Sequence, residues 1–118
     1  RELAQALMGT GFGYSAARRT QQARVLTAVL PQVRDIRRLG SCAIDLCLVA
    51  EGLLDGYYER GVHPWDHAAG SLIASEAGAK VSGLHGQREG NSMLVATNPH
   101  INKELLALLE SVDADIDV

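Results

Sequence analysis

The sequence has few of the features that would suit it to bind nucleic acid or cross a membrane. Aromatic residues make up 4% of its 118 residues, and the formal net charge is −3. This balance argues against a general binder of nucleic acid or of anionic membrane surfaces. There is no run of 18 apolar residues and no visible signal peptide, so we expect neither nucleic acid nor a membrane as a partner.

Cysteine is also scarce, and its spacing argues against a disulfide. The only two cysteines are Cys42 and Cys47. If both lie on one helix, their side chains point about 140° apart around its axis, so they cannot easily bridge. Two unpaired thiols suit a reducing compartment, which predicts a cytoplasmic protein.

Charge is unevenly spread along the chain. Residues 1–40 carry seven arginines and two acids, whereas residues 41–118 carry four basic residues and twelve acids. Two differently solvated faces would explain this, and so would an acidic site that attracts cations. Hydrophobic residues make up 47% of the chain, enough for the core of one domain. Because the chain begins at Arg1, we expect that an upstream segment is missing.

Helical and extended patterns alternate along the whole sequence. This alternation predicts an α/β fold, in which a mixed sheet is layered with flanking helices and ligands lie at strand ends. Residues 10–14 contain two glycines and are predicted to be the end of a strand that runs into a loop. The predicted strands are 33–39, 56–59, 80–82 and 93–97. Four helices are predicted: residues 18–30, a helix capped by Ser41, a helix from Pro64 to about Ala77, and a helix that begins at Asn98-Pro99.

The same patterns predict which side chains are buried. One of Tyr57 and Tyr58 should be exposed, since neighbours on a strand face opposite ways. The acidic tail after Ser111 should fray. The expected buried positions are Ala23, Leu26, Val29 and Leu30 on the first helix, then Ala43, Leu46, Cys47, Ala50 and Leu54, and last Ile101, Leu105, Leu108 and Leu109.

Residues 59–70 hold the most informative motif. Glu59 ends a strand, Asp66 lies in the first turn of a helix, and Gly70 sits inside that helix. Glycine in a helix interior costs about 1 kcal/mol relative to alanine, so we expect another element to approach closely there, plausibly the helix that Ser41 caps. Asp66 is explained equally well as an ordinary helix cap, worth about 0.3–1 kcal/mol.

Two further features are weaker. Gly40-Ser41-Cys42 precedes a helix, and its free N–H groups would bind a phosphate or a hydroxyl, although an ordinary turn and cap explains it equally well. His63 and His67 are four residues apart and would suit a metal on one helix face. Pro64 starts the helix between them, which argues against that pair.

Four segments resemble the inositol monophosphatases, which are lithium-sensitive phosphatases dependent on magnesium. Residues 38–50 are similar to the family's "GSaAldlcyvA" helix, and residues 52–59 to its "G-x-x-D-a-Y-x-E" strand. Residues 64–70 and 75–78 resemble its signature "W-D-x-A-A-G" followed by "E-A-G-G". Weaker similarity continues through residues 10–12 and 96–99.

The resemblance implies a role for each matching residue. Asp66 would ligate magnesium close to the substrate, and Glu59 would accept a hydroxyl of the inositol ring. Gly40, Ser41 and Cys42 would meet other ring hydroxyls, partly through backbone groups. Cys42 departs from the usual alanine, and Ala79 from a common second glycine.

The resemblance also implies that much of the enzyme is missing. The family's other metal ligands come from an upstream glutamate and a "D-P-I/L-D-G-T" motif, neither of which occurs here. We therefore expect residues 1–118 to be one domain, the C-terminal half of an αβαβα sandwich, with the N-terminal metal-binding half and all catalytic residues absent. The implied substrate is a small phosphate monoester, the implied cofactor is Mg²⁺, and a homodimer is implied for the full-length form.

Overall fold

Five short strands form one mixed sheet in the computed structural model, which describes residues 2–116. The strand order is β2-β1-β3-β5-β4. β1 pairs in parallel with β2 and β3, while β5 pairs antiparallel with β3 and β4. The strands are β1 (Leu7–Thr10), β2 (Asp35–Arg37), β3 (Gly56–Glu59), β4 (Lys80–Ser82) and β5 (Leu94–Thr97). The predicted α/β class is confirmed.

Four helices flank the sheet: α1 (Ala16–Val29), α2 (Cys42–Ala50), α3 (Pro64–Glu76) and α4 (Asn102–Ser111). Ser41 caps α2 as predicted, since its hydroxyl accepts a hydrogen bond from the Ile44 amide at 3.3 Å. The last helix begins later than predicted, because the Asn98 side chain accepts from the His100 and Ile101 amides and forms a turn first. No helix in residues 2–116 is long and apolar enough to cross a bilayer.

Both faces of the sheet are covered, each by two helices. One core cluster includes Tyr58 and residues of α1 and α4, whereas the other includes Tyr57 and residues of α2. The exposed fractions of Tyr57 and Tyr58 are 0% and 5%. The prediction that one tyrosine is exposed was wrong, because it assumed that one side of β3 faces solvent.

The buried face of α1 matches the prediction only in part, since Val29 is buried as expected. Gln21, Gln22 and Val25 are buried, while Ala23 and Leu30 are exposed. The glutamines are buried because their amides have partners: Gln22 accepts from the Gly13 amide at 2.8 Å and donates to the Arg60 carbonyl at 3.2 Å. On α2, similarly, Ala43 is exposed and the polar residue Asp45 is buried.

The chain after Ser111 is anchored, so the predicted fraying was wrong for residues 112–116. Ala114 is 1% exposed. Its carbonyl accepts from Gln21 at 3.1 Å, and Arg24 donates to the Val112 carbonyl at 2.6 Å. These contacts dock the segment against α1. Residues 117–118 lie outside the described residues.

Gly70 is the point of closest approach between α3 and α2. A Cβ placed on Gly70 would lie 2.9 Å from both Cβ and Cδ1 of Leu46, a separation that packed carbon atoms do not tolerate. The predicted close approach to the helix that Ser41 caps is therefore confirmed. Glycine offsets its poor helix propensity here by letting the two helices pack.

Replacing Gly70 with valine should destabilise the protein through overpacking. We expect the free energy of unfolding to fall by about 1–3 kcal/mol, and Gly70→Ala to lower it as well, despite alanine's better helix propensity. Urea denaturation measures both. Ala69→Val, at an exposed position of the same helix, is the matched control and should cost less than about 0.7 kcal/mol. Stabilisation by Gly70→Ala together with a neutral Gly70→Val would refute the packing account.

Candidate functional site

A cleft of about 700 Å³ opens at one edge of the sheet. β1, β2 and β3 are mutually parallel, so their carboxyl ends meet at this edge, and the turns after them form the walls. The cleft brings together all five residues that the sequence singled out: Gly40, Ser41, Cys42, Glu59 and Asp66. The structure thus places them at one site, while their individual roles stay predictions.

Asp66 lies in the first turn of α3, as predicted, and is half-buried. Its Oδ2 accepts a hydrogen bond from the His63 backbone amide at 2.9 Å. Asp66 therefore caps the start of α3. Capping does not compete with a role in the cleft, since a carboxylate has two oxygens and about four acceptor positions.

Glu59 enters the cleft from the end of β3. The hydroxyl of Tyr57 donates a hydrogen bond to its Oε1. Burial raises the pKa of Glu59, and the charge of Asp66 adds to that effect, while the Tyr57 hydrogen bond and the Arg38 guanidinium oppose it. The cleft thus holds two carboxyl groups whose charges influence each other.

The turn before α2 forms the opposite wall. Gly40 has a φ of +86°, a conformation that side chains disfavour, so glycine suits the turn. Burial raises the pKa of the Cys42 thiol to about 11, which keeps it protonated and unreactive at neutral pH. Both Cys42 and Cys47 are unpaired, as their spacing predicted.

Sequence reasoning missed Asp45, a further acid of this site. It is 1% exposed yet lines the cleft, and its Oδ1 has no hydrogen-bond partner. Burial and the neighbouring Glu59 raise its pKa to about 6, against the opposing effect of Arg38. The available signal was an acid within the apolar segment 42–50. Three carboxyl groups therefore border the cleft, together with three arginines: Arg18, Arg38 and Arg60.

The two histidines do not form a metal pair. His63 stacks on Trp65 with ring centroids 4.6 Å apart, and Nδ1 of His67 lies 3.2 Å from the Ser71 hydroxyl. Within residues 2–116, no three histidine, cysteine or acidic side chains are grouped closely enough to hold a metal ion.

Comparison with known proteins agrees with this fold and cleft. The sequence model of the Inositol monophosphatase family matches residues 1–114. Inositol-1-monophosphatase SuhB of Mycobacterium tuberculosis is 57% identical over 111 residues, which are 92% of this chain and 38% of that protein. Nus factor SuhB of Pasteurella multocida is 40% identical over 118 residues, or 98% of this chain and 44% of that protein.

The fold is shared as well. The solved structure of Mycobacterium tuberculosis SuhB superposes with a TM-score of 0.86 at 53% identity, covering 98% of this chain and 45% of that one. These matches define an α/β protein with the fold of the inositol monophosphatases. The chain belongs to the inositol monophosphatase family, and it spans less than half the length of the relatives it matches.

Replacing Asp45 with asparagine should stabilise the protein at neutral pH. The folded pKa is raised from 3.8 to about 6, so the carboxyl group holds its proton more tightly when folded. Its contribution to stability therefore falls as pH rises from about 4 through 6. An asparagine side chain cannot ionise, so Asp45→Asn should raise the free energy of unfolding by about 1–3 kcal/mol at pH 7.5.

Denaturation at several pH values checks this expectation. The difference between Asp45→Asn and wild type should shrink towards zero at pH 4, where Asp45 is protonated in the folded state. Glu51→Gln, at an exposed position beyond the end of α2, is the control and should give no such pH-dependent gain. A gain of equal size at pH 4 and pH 7.5 would mean that ionisation of Asp45 is not the cause.

Proposed function

We propose that this chain supplies the substrate-binding half of a magnesium-dependent phosphatase that hydrolyses inositol 1-phosphate to inositol and phosphate. The observation that carries the proposal is the convergence of Glu59, the Gly40–Cys42 turn and Asp66 on one cleft. The name of the mycobacterial relatives, inositol-1-monophosphatase, supports this substrate.

Asp66 fits the metal that the proposal requires. Mg²⁺ prefers hard oxygen ligands and is held by one or two carboxylates together with substrate phosphate. Besides Asp66, the cleft is lined by two further acids, Asp45 and Glu59, and by three arginines, Arg18, Arg38 and Arg60. Since residues 2–116 hold no complete metal cluster, we propose that Asp66 gives one ligand and that the others come from a longer protein. Bound metal would supply activation of water and neutralisation of the leaving oxygen.

The remaining residues bind and orient the alcohol part of the substrate. Glu59 accepts a hydrogen bond from a ring hydroxyl, and backbone groups of the Gly40–Cys42 turn meet its neighbours. Asp66, at the start of α3, holds the phosphate end of the cleft. This division places the scissile P–O bond between the polyol subsite and the metal ligand, where water attacks phosphorus and the ester oxygen leaves as a hydroxyl.

Other functions are distinguishable from this one. Related phosphatases cleave histidinol phosphate, fructose 1,6-bisphosphate or 3′-phosphoadenosine phosphates, but a carboxylate facing the alcohol favours a polyol ring. A second candidate is a catalytically inactive product that acts by pairing with another protein. The relatives named Nus factor SuhB, which are 39–40% identical to this chain, support this non-enzymatic candidate. A homodimer of the longer form also stays a prediction.

The 118-residue chain alone should release no phosphate from inositol 1-phosphate in the presence of Mg²⁺. The reason is that Asp66 cannot complete a catalytic metal cluster by itself. A colorimetric phosphate assay decides this, with the polypeptide extended by its upstream coding sequence as the positive control. Turnover by the short chain would contradict the proposal, and an inactive extended protein would favour the non-enzymatic candidate.

Asp66→Asn in the extended protein should lower kcat/KM by at least about tenfold. Asparagine keeps an oxygen for capping but removes the negative ligand from a hard cation. The assay is turnover against Mg²⁺ concentration, with thermal unfolding to confirm folding. Glu76→Gln, at an exposed position in the last turn of the same helix, is the matched control and should leave activity unchanged. Activity of Asp66→Asn within about twofold of wild type argues against metal ligation.

A further inference from the structure

Tyr57 is a buried tyrosine whose hydroxyl contacts Glu59, a residue that lines the cleft. It is 0% exposed, and it lies two residues before Glu59, so both side chains leave β3 on the same face. Its hydroxyl donates a hydrogen bond to Oε1 of Glu59. A phenol has a single proton, and here that proton is directed at the carboxylate.

Gly11 supports Glu59 from the other side. A Cβ at Gly11 would lie 2.6 Å from Cδ of Glu59, so the carboxylate rests directly against the backbone after β1. Gly11 is not among the glycines with positive φ. Glycine is needed here for space and not for backbone conformation.

We infer that Tyr57 is a positioning residue that, with Gly11, locks the Glu59 carboxylate in one orientation to receive a substrate hydroxyl. With Oε1 bound to Tyr57, Oε2 is the oxygen presented to the polyol. The inference rests on the proposed function for the identity of the ligand, whereas the locking of Glu59 is a property of the chain itself. A carboxylate fixed in advance loses less conformational freedom on binding, and this strengthens discrimination between alcohols.

The first test does not require activity. Three-bond NMR couplings of the Glu59 side chain should report one rotamer in the wild-type chain and rotamer averaging in Tyr57→Phe, which keeps the ring and removes the hydroxyl. Tyr58→Phe is the matched control, because Tyr58 is adjacent and buried but packs in the opposite core cluster. It should leave the Glu59 rotamer unchanged. An unaveraged Glu59 in folded Tyr57→Phe would overturn the inference.

The second test separates positioning from mere stability. In the extended protein, Tyr57→Phe should raise KM for inositol 1-phosphate by about three- to tenfold with little change in kcat. KM for phenyl phosphate, which has no hydroxyl to bind, should stay the same. An unchanged KM for inositol 1-phosphate, or equal losses for both substrates, would overturn the inference. If Tyr57→Phe shows rotamer averaging at Glu59 but the extended wild-type protein hydrolyses neither substrate, the positioning of Glu59 by Tyr57 stands and the proposed function is refuted.

Discussion

The close packing of α3 on α2 at Gly70 is the constraint on which the site depends. Leu46 lies so near Gly70 that no side chain fits between the helices. Asp66 is one turn before Gly70, and the Gly40–Cys42 turn is just over one turn before Leu46. The contact therefore fixes the distance between the two helix starts, both of which line the cleft. Loss of this contact would separate Asp66, the proposed metal ligand, from the Gly40–Cys42 turn, the proposed site for the alcohol.

Electrostatics adds a second constraint, because burial disfavours the ionised form of two acids at the cleft. The pKa values of Asp45 and Glu59 are both raised, chiefly by burial. Unfavourable carboxylates persist in folded proteins mainly where function uses them, since other positions gain stability from neutral residues. A bound cation would stabilise the ionised form of both carboxyl groups. The same acids would then contribute to metal affinity while lowering the stability of the metal-free chain.

Much of the fold was predictable because the local signals were strong. β3 and β4 have the predicted bounds, and Ser41 and Pro64 mark the starts of α2 and α3. The errors came from tertiary contacts: partners elsewhere in the chain bury Gln21 and Gln22, and nothing in the local pattern reports them. The site residues followed from motif resemblance, which is why Asp45 and the positioning contact of Tyr57, outside the motif's assigned roles, were missed.

A crystal structure of the extended protein with inositol 1-phosphate and Mn²⁺ in place of Mg²⁺ would test the central claim most directly. Anomalous scattering locates the metal without ambiguity. The account predicts a metal ion about 2.0–2.2 Å from a carboxylate oxygen of Asp66, and a ring hydroxyl within hydrogen-bond distance of Glu59. A metal bound away from Asp66, or an inositol ring that does not contact Glu59, would contradict it.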